Sequence, residues 1–230
     1  MTRISVIIPA FNEEHAIGKV IKDIPKSVQE IIVVNNGSID NTALVAQKAG
    51  ATVLTEPRKG YGYACLKGIE HIGKQSEKTD IVVFLDGDYS DYPEELSKLI
   101  KPIVNDNIDF VIGSRVKRLR EGGAMTPQQV FGNWLATSLM NKVFDANYTD
   151  LGPFRAITYD KLLAINMQDK TYGWTVEMQL KALKHKLKYI EIPVRYKCRI
   201  GESKVSGTVK GTIMAGYKIL GWILKYSISK

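Results

Sequence analysis

Short, largely apolar runs recur through the first half of this chain, and helix-like segments separate them. The runs are Ile4–Ile8, Ile31–Val34, Ala51–Thr55, Ile81–Leu85 and Phe110–Ile112. Between them lie helical patterns from Glu13 to about Asp23, Asn41–Ala49, Tyr63–Ile72 and Pro93–Val104. Brief apolar strands joined by helices bury both faces of a parallel sheet, because a helix returns the chain to start each new strand. The expected fold is therefore α/β: a Rossmann-like, doubly wound, mostly parallel sheet flanked by helices. Such sheets bind ligands in the crevice outside the carboxyl ends of their strands.

From about Lys117 the texture changes. The basic, glycine-containing loop KRLREGGAMT leads into a helix over Pro127–Val143, then a short strand, Phe154–Ile157. Two more helices follow, the second near Trp174–Lys184, then a strand over Tyr189–Val194 and a last amphipathic helix, Thr212–Tyr226. No repeat or low-complexity linker intervenes, so 230 residues read as one domain with a functional division near residue 116. The amino terminus lacks the apolar core and cleavage site of a signal peptide, and Lys218 and Lys225 interrupt the most apolar tail. Two distant cysteines suit a reducing compartment. A cytoplasmic protein is expected.

Polar residues collect where each strand ends. After the first run stand Pro9, Phe11, Asn12 and Glu13, and after the second Asn35, Asn36, Gly37, Ser38 and Asp40. Arg58, Lys59 and Gly60 follow the third; Asp86, Asp88, Ser90 and Asp91 follow the fourth. Any one segment reads equally well as turn or cap chemistry. Four in succession point to a site. Asp86, Asp88 and Asp91 fall within six positions, where carboxylates repel unless a cation joins them. Hard oxygen donors suit Mg²⁺ or Mn²⁺, held by one or two carboxylates together with substrate phosphates.

At this point the chain resembles a known family. SVIIPAFNEE, VVNNGSIDNT, RKGYGYA, FLDGDYSDYPEEL and VIGSR, in this order, resemble the family 2 glycosyltransferases of GT-A fold. DLGPFRAI, WTVEMQLKA and IPVRYKCRIGESKVSG resemble, within that family, the polyprenyl-phosphate sugar synthases such as dolichyl-phosphate mannose and glucose synthases. The resemblance implies a metal-dependent, inverting transfer from a nucleotide sugar. Residues 1–116 would then form the donor half, 117–206 the acceptor half and 207–230 an amphipathic helix. Pro9, Phe11, Asn12, Glu13 and Asn36 would line the base and ribose pocket, beside Gly37, Lys59, Gly60 and Arg115. Asp86 and Asp88 would be the DxD pair, Asp88 on the metal, with Ser90 and Asp91 beside them. Ser90 stands where these synthases often have Gln, and Asn35-Asn36 where many relatives read Asp-Asp.

On the acceptor side, Arg155, Arg195, Arg199, Ser203 and Lys204 offer cations and a hydroxyl suited to phosphate oxygens, and Trp174 would border the pocket. Asp150 and Glu177 are the candidate bases, with Glu177 matching the family's acidic motif; a phosphate acceptor, already ionised, needs little help from either. The +8 net charge calls for an anionic partner. A lipid phosphate and peripheral contact with an anionic membrane meet that demand, the last helix presenting Ile213, Tyr217, Leu220, Leu224 and Ile228 along one stripe and Lys218 and Lys225 on another. The same stripe would serve a helix packed on the body of the protein. No nucleic-acid partner is expected, since aromatics do not interleave with the basic runs. A dehydrogenase would need GxGxxG after the first strand, and a sugar nucleotidyltransferase an Arg-containing glycine loop; both find PAFNEE instead. A hydroxyl acceptor remains the alternative, and nothing fixes sugar, base or oligomeric state.

Overall fold

The computed structural model describes residues 2–201 and 209–228. Seven strands form one sheet: β1 (Ile4–Ala10), β2 (Glu30–Asn35), β3 (Thr52–Thr55), β4 (Ile81–Phe84), β5 (Phe110–Ser114), β6 (Arg155–Thr158) and β7 (Tyr189–Pro193). Their order is β3-β2-β1-β4-β6-β5-β7. All neighbours run parallel except β6, which is antiparallel to β4 and β5 and pairs Arg155 with Phe84. That inserted strand is what makes the sheet mostly, and not wholly, parallel, as expected. A four-residue run such as RAIT carries no mark of its direction.

The helices are α1 (Ile17–Asp23), α2 (Thr42–Lys48), α3 (Tyr61–Gly73), α4 (Leu96–Asp106), α5 (Pro127–Phe144), α6 (Tyr159–Ile165), α7 (Trp174–Lys184) and α8 (Val209–Ile228). Alternation along β1 divides the core in two. Ile7 joins Ile32, Phe84, Phe110, Trp174 and Met178 on one face, while Val6 and Ile8 join Val33, Val83, Leu85, Leu99 and Ile103 on the other. Helix α1 starts later than its sequence pattern, because the Glu13 carbonyl first closes a turn with the amides of Ala16 and Ile17 at 3.0 and 2.8 Å. Helix α3 starts earlier, at Tyr61, and glycine permits it: a Cβ on Gly62 would lie 2.0 Å from the Asp169 carbonyl oxygen.

Strand order changes direction at β1, which has β2 on one side and β4 on the other. That is the switch point where a crevice opens. Helix α5 is fixed at its start by Pro127 and a capping box between Thr126 and Gln129. Helix α8 packs on α5 and α7 and buries Ile223, yet leaves Met214, Tyr217, Leu220 and Leu224 exposed. The packed reading of that helix is thus met on one face, and the other face is left exposed; the side chains of Ile213 and Ile228 lie outside the described residues. Among the described residues no helix is long and apolar enough to cross a membrane.

Candidate active site

The strand ends at the switch point converge. Asp88 is buried directly beyond β4. Its Oδ1 accepts from the backbone amide of Ser90 at 2.9 Å and from the Ser90 hydroxyl at 2.5 Å. Its Oδ2 faces the Arg199 guanidinium at 3.0 Å. Arg199 also donates to Glu13, from the loop after β1, at 3.1 Å. Ser90 is therefore a support for Asp88, since its hydroxyl is turned toward that carboxylate. Asp86, only partly buried, accepts from the Tyr61 hydroxyl at 3.0 Å. Burial, and then the nearby Asp88 charge, raise the Asp86 carboxyl to about 6.

Asp91 is the anomaly. Its carboxyl is buried, and neither oxygen has a hydrogen-bond partner. Burial first, then Asp86 and Asp88, push its carboxyl well above the usual range. A buried carboxyl without a partner is costly. Together with a guanidinium already seated on Asp88, it marks a cluster of carboxylates that suits a cation. The donor set, all hard oxygen, fits Mg²⁺ or Mn²⁺. Among the described residues no three carboxylate, histidine or cysteine side chains form a cage, so phosphate oxygens of a ligand would have to complete the shell.

The donor-side loops are held by one amide. Asn36 donates from Nδ2 to the carbonyls of Glu56 and Arg58 at 2.9 and 2.7 Å, and its Oδ1 accepts from Gly60 N–H at 2.8 Å. A carboxylate could not donate either of the first two bonds. That accounts physically for Asn where relatives carry Asp, and it makes Asn36 a loop anchor, where contact with base or ribose was expected. Asn12, in the left-handed region, accepts from Ile39 N–H at 2.9 Å and donates its own amide to Ser38 at 3.0 Å. Lys59 lies over the Phe11 ring at 5.5 Å, and the half-buried Pro9 is the next-to-last residue of β1. Gly37, with φ +80°, has open space where a side chain would stand.

A second segment is stitched to the acidic loop. Lys197 N–H donates to the Ser90 carbonyl and Ile200 N–H to the Asp88 carbonyl, each at 2.9 Å. Tyr196 bridges Asp91 on one side and Arg120 on the other. Arg115 is buried here, over the Tyr196 ring at 5.1 Å, and forks onto Asp150 at 2.8 and 2.6 Å. Burial alone would raise Asp150; Arg115 outweighs it and holds the carboxyl below its ordinary value.

Several sequence expectations are corrected by depth. Arg155 is fully buried and donates to the carbonyls of Gly152 and Thr175, so it braces the chain and cannot reach an acceptor. Desolvation lowers its guanidinium to about 10. Trp174 packs edge-on against Phe84 in the core, 5.7 Å between centroids. Arg195 is occupied by Glu95 at 2.7 Å and Glu94 at 2.8 Å, the residues that follow the acidic loop. Glu177 is wholly buried; it accepts from the amides of Gln168 and Asp169 and pairs with Lys181 at 2.9 Å. Neither Glu177 nor Asp150 is placed as a base. Ser203 and Lys204 lie outside the described residues. Sequence reasoning passed over Tyr61 and Tyr196. Tyr61 sits inside RKGYGYA, where a phenol at a strand end was the available signal.

Comparisons bear on this geometry. The family model described as Glycosyl transferase family 2 matches residues 5–167. A glycosyltransferase of Mycobacterium tuberculosis is 33% identical over 216 residues, covering 92% of this chain and 94% of that protein. The UDP-N-acetylglucosamine–dolichyl-phosphate N-acetylglucosaminyltransferase of Methanococcus voltae is 29% identical, covering 99% and 97%. In structure the chain resembles the glucosyl-3-phosphoglycerate synthase of Mycobacterium tuberculosis, crystallised with Mn²⁺, UDP and phosphoglyceric acid. The TM-score is 0.78 at 22% identity, covering 98% of this chain and 78% of that one.

Proposed function

The chain belongs to glycosyl transferase family 2 and is a glycosyltransferase of GT-A fold; from that premise we propose that it moves a sugar, with inversion, from a nucleoside diphosphate sugar to a polyprenyl-phosphate-like acceptor at a membrane surface. Mg²⁺ or Mn²⁺, bound through Asp88 with Asp86 and Asp91 around it, would neutralise charge on the departing diphosphate. The residues of the chain orient the rest. Ser90 fixes the Asp88 carboxylate, Tyr61 fixes Asp86, and Asn36 holds the Arg58–Gly60 loop against the crevice. A phosphate nucleophile arrives ionised. The burial of Glu177 and Asp150 is consistent with a reaction that needs no base on the protein.

One observation carries the lipid reading. Val130, Phe131 and Trp134 on α5 are exposed, and with Met125 and Pro127 they line an apolar groove of about 460 Å³. Between Phe131 and Trp134, Asn133 bonds to Thr149 and Leu151, on either side of the Asp150 that holds Arg115. The groove is therefore linked through Asn133 to the segment whose Asp150 holds Arg115, and the exposed Tyr217, Leu220 and Leu224 of α8 add apolar surface on a helix packed against α5. Exposed apolar patches beside cations are how peripheral proteins meet lipid. The test is sugar transfer to a short polyprenyl phosphate, set against the matching polyprenol and phosphoglycerate, with Mn²⁺ and UDP- or GDP-sugars. Transfer to the lipid phosphate is expected; transfer to either alternative alone would replace this reading with a hydroxyl acceptor.

A further inference from the structure

Asp88 already has a cation. Its Oδ1 is taken by Ser90, and the remaining oxygen, the one open to a ligand, pairs with Arg199 at 3.0 Å. This is not a loose surface pair. The amides on either side of Arg199 are bonded into the acidic loop, Lys197 to Ser90 and Ile200 to Asp88, and the guanidinium is clamped from the other side by Glu13 at 3.1 Å. The Arg199 side chain is 28% exposed, and its Nε is buried without a partner. Directly after this segment comes Gly201, with φ +83° and no atom of the described residues within 4 Å of where a side chain would stand. The arginine is thus delivered by a strap held on both sides by backbone bonds.

We infer that Arg199 is the resident counter-cation of Asp88, and that a divalent ion binds there by exchange with its guanidinium. This deepens the reading given above and rests on it. A divalent ion on the Asp88 oxygen that already holds a guanidinium is repelled by it and competes for the same open side of the carboxylate. An ion arriving alone must displace a guanidinium that then keeps only Glu13 in a partly buried place, so its affinity is reduced by that displacement. An ion arriving with phosphate brings the displaced guanidinium a new bidentate anion. Metal and phosphate therefore bind with positive coupling, and the coupling passes through Arg199. The strap also protects the acidic loop from holding unneutralised charge while no substrate is bound.

The experiment measures Mn²⁺ binding by electron paramagnetic resonance of the free ion and by calorimetry, with no turnover involved. Wild type, Arg199→Gln and Arg199→Lys are each titrated alone, with UDP, with GDP and with farnesyl phosphate. Wild type should bind Mn²⁺ weakly alone and about tenfold more tightly with a phosphate ligand. Arg199→Gln should bind the ion alone about tenfold more tightly than wild type and lose most of the coupling. Arg199→Lys, which keeps the charge, should resemble wild type in binding the ion alone, and this holds the test open if the Gln variant fails to fold. Coupling with UDP or GDP would place the freed guanidinium on the donor; coupling with farnesyl phosphate would place it on the acceptor. Equal affinity of wild type and Arg199→Gln for Mn²⁺ alone overturns the inference and leaves the metal site standing. No Mn²⁺ binding by any variant, with or without nucleotide, overturns the metal-dependent reading itself.

Discussion

Two regions of this protein bury carboxylates, and they treat them in opposite ways. Around α7, Glu177 and Asp169 are fully provided for. Glu177 takes two backbone amides and Lys181, and Asp169 takes the amides of Thr171 and Gly173 and the indole N–H of Trp222 at 2.7 Å. Beyond β4, Asp91 has no partner, Asp86 has one phenol, and Asp88 shares its outer oxygen with an arginine on a strap. The same side chain is framework where its bonds are complete and binding machinery where they are not. Depth alone does not separate the two, since Asp91 and Asp169 are about equally buried.

Substitution should pull the two regions apart most sharply at Asp88. Asp88→Asn should lower sugar transfer by about a hundred- to a thousandfold, as losing a key charge stabiliser does, while the melting temperature moves little. A large loss of stability with activity intact would erase the distinction. Glu177→Gln should do the reverse. Removing one charge of a buried pair leaves Lys181 with the Asn166 carbonyl and no counter-charge, and should cost about 3–5 kcal/mol in denaturant unfolding. The folded fraction should keep its KM values for both substrates.

Acid titration sharpens the contrast further. With a folded carboxyl near 6 against 3.8 in the unfolded chain, Asp86 is protonated in the native state where the unfolded state has already released its proton. Stability of the metal-free protein should therefore fall as pH rises from about 4 to 6, by up to about 1.4 kcal/mol per pH unit from Asp86, and Asp91, raised in the same direction, should extend the fall. Mn²⁺ with UDP or GDP should flatten the slope. A flat profile without metal would show that Asp86 is better solvated than its surroundings indicate. The smallest effect belongs to the apolar rim. Phe131→Ser with Trp134→Ser should weaken binding to anionic vesicles several-fold, in a salt-dependent way, and leave Mn²⁺ affinity unchanged. Unaltered vesicle binding would detach the α5 groove from the membrane.

The strand ends were legible because apolar runs followed by polar residues survive in any register, so Asp86, Asp88, Asn12 and Glu13 could be placed at one mouth from spacing alone. What spacing could not carry was partnership. Asn36 reads as a ligand until its amide is seen holding Glu56, Arg58 and Gly60. Arg155 and Trp174 read as acceptor contacts because a motif names residue types and not their depth; an antiparallel β6 draws Arg155 under the sheet. Arg199 was singled out for a phosphate, whereas its pairing with a carboxylate 111 positions earlier depends on a strap whose bonds are made by backbone groups.

The seat of α8 bears on how its surface can be studied. Trp222 fits against Gly173 so closely that a Cβ there would lie 2.5 Å from the indole, and the same indole holds Asp169. The backbone of Asp169 and Lys170 in turn presses on Gly60 and Gly62 of the donor loop. Cutting the tail to abolish lipid contact would pull a wedge from beneath Gly60 and Gly62. Failure of such a shortened enzyme would say nothing about lipid, and only outward-facing substitutions, at Tyr217 or Leu224, can separate where the protein sits from whether its pocket is built.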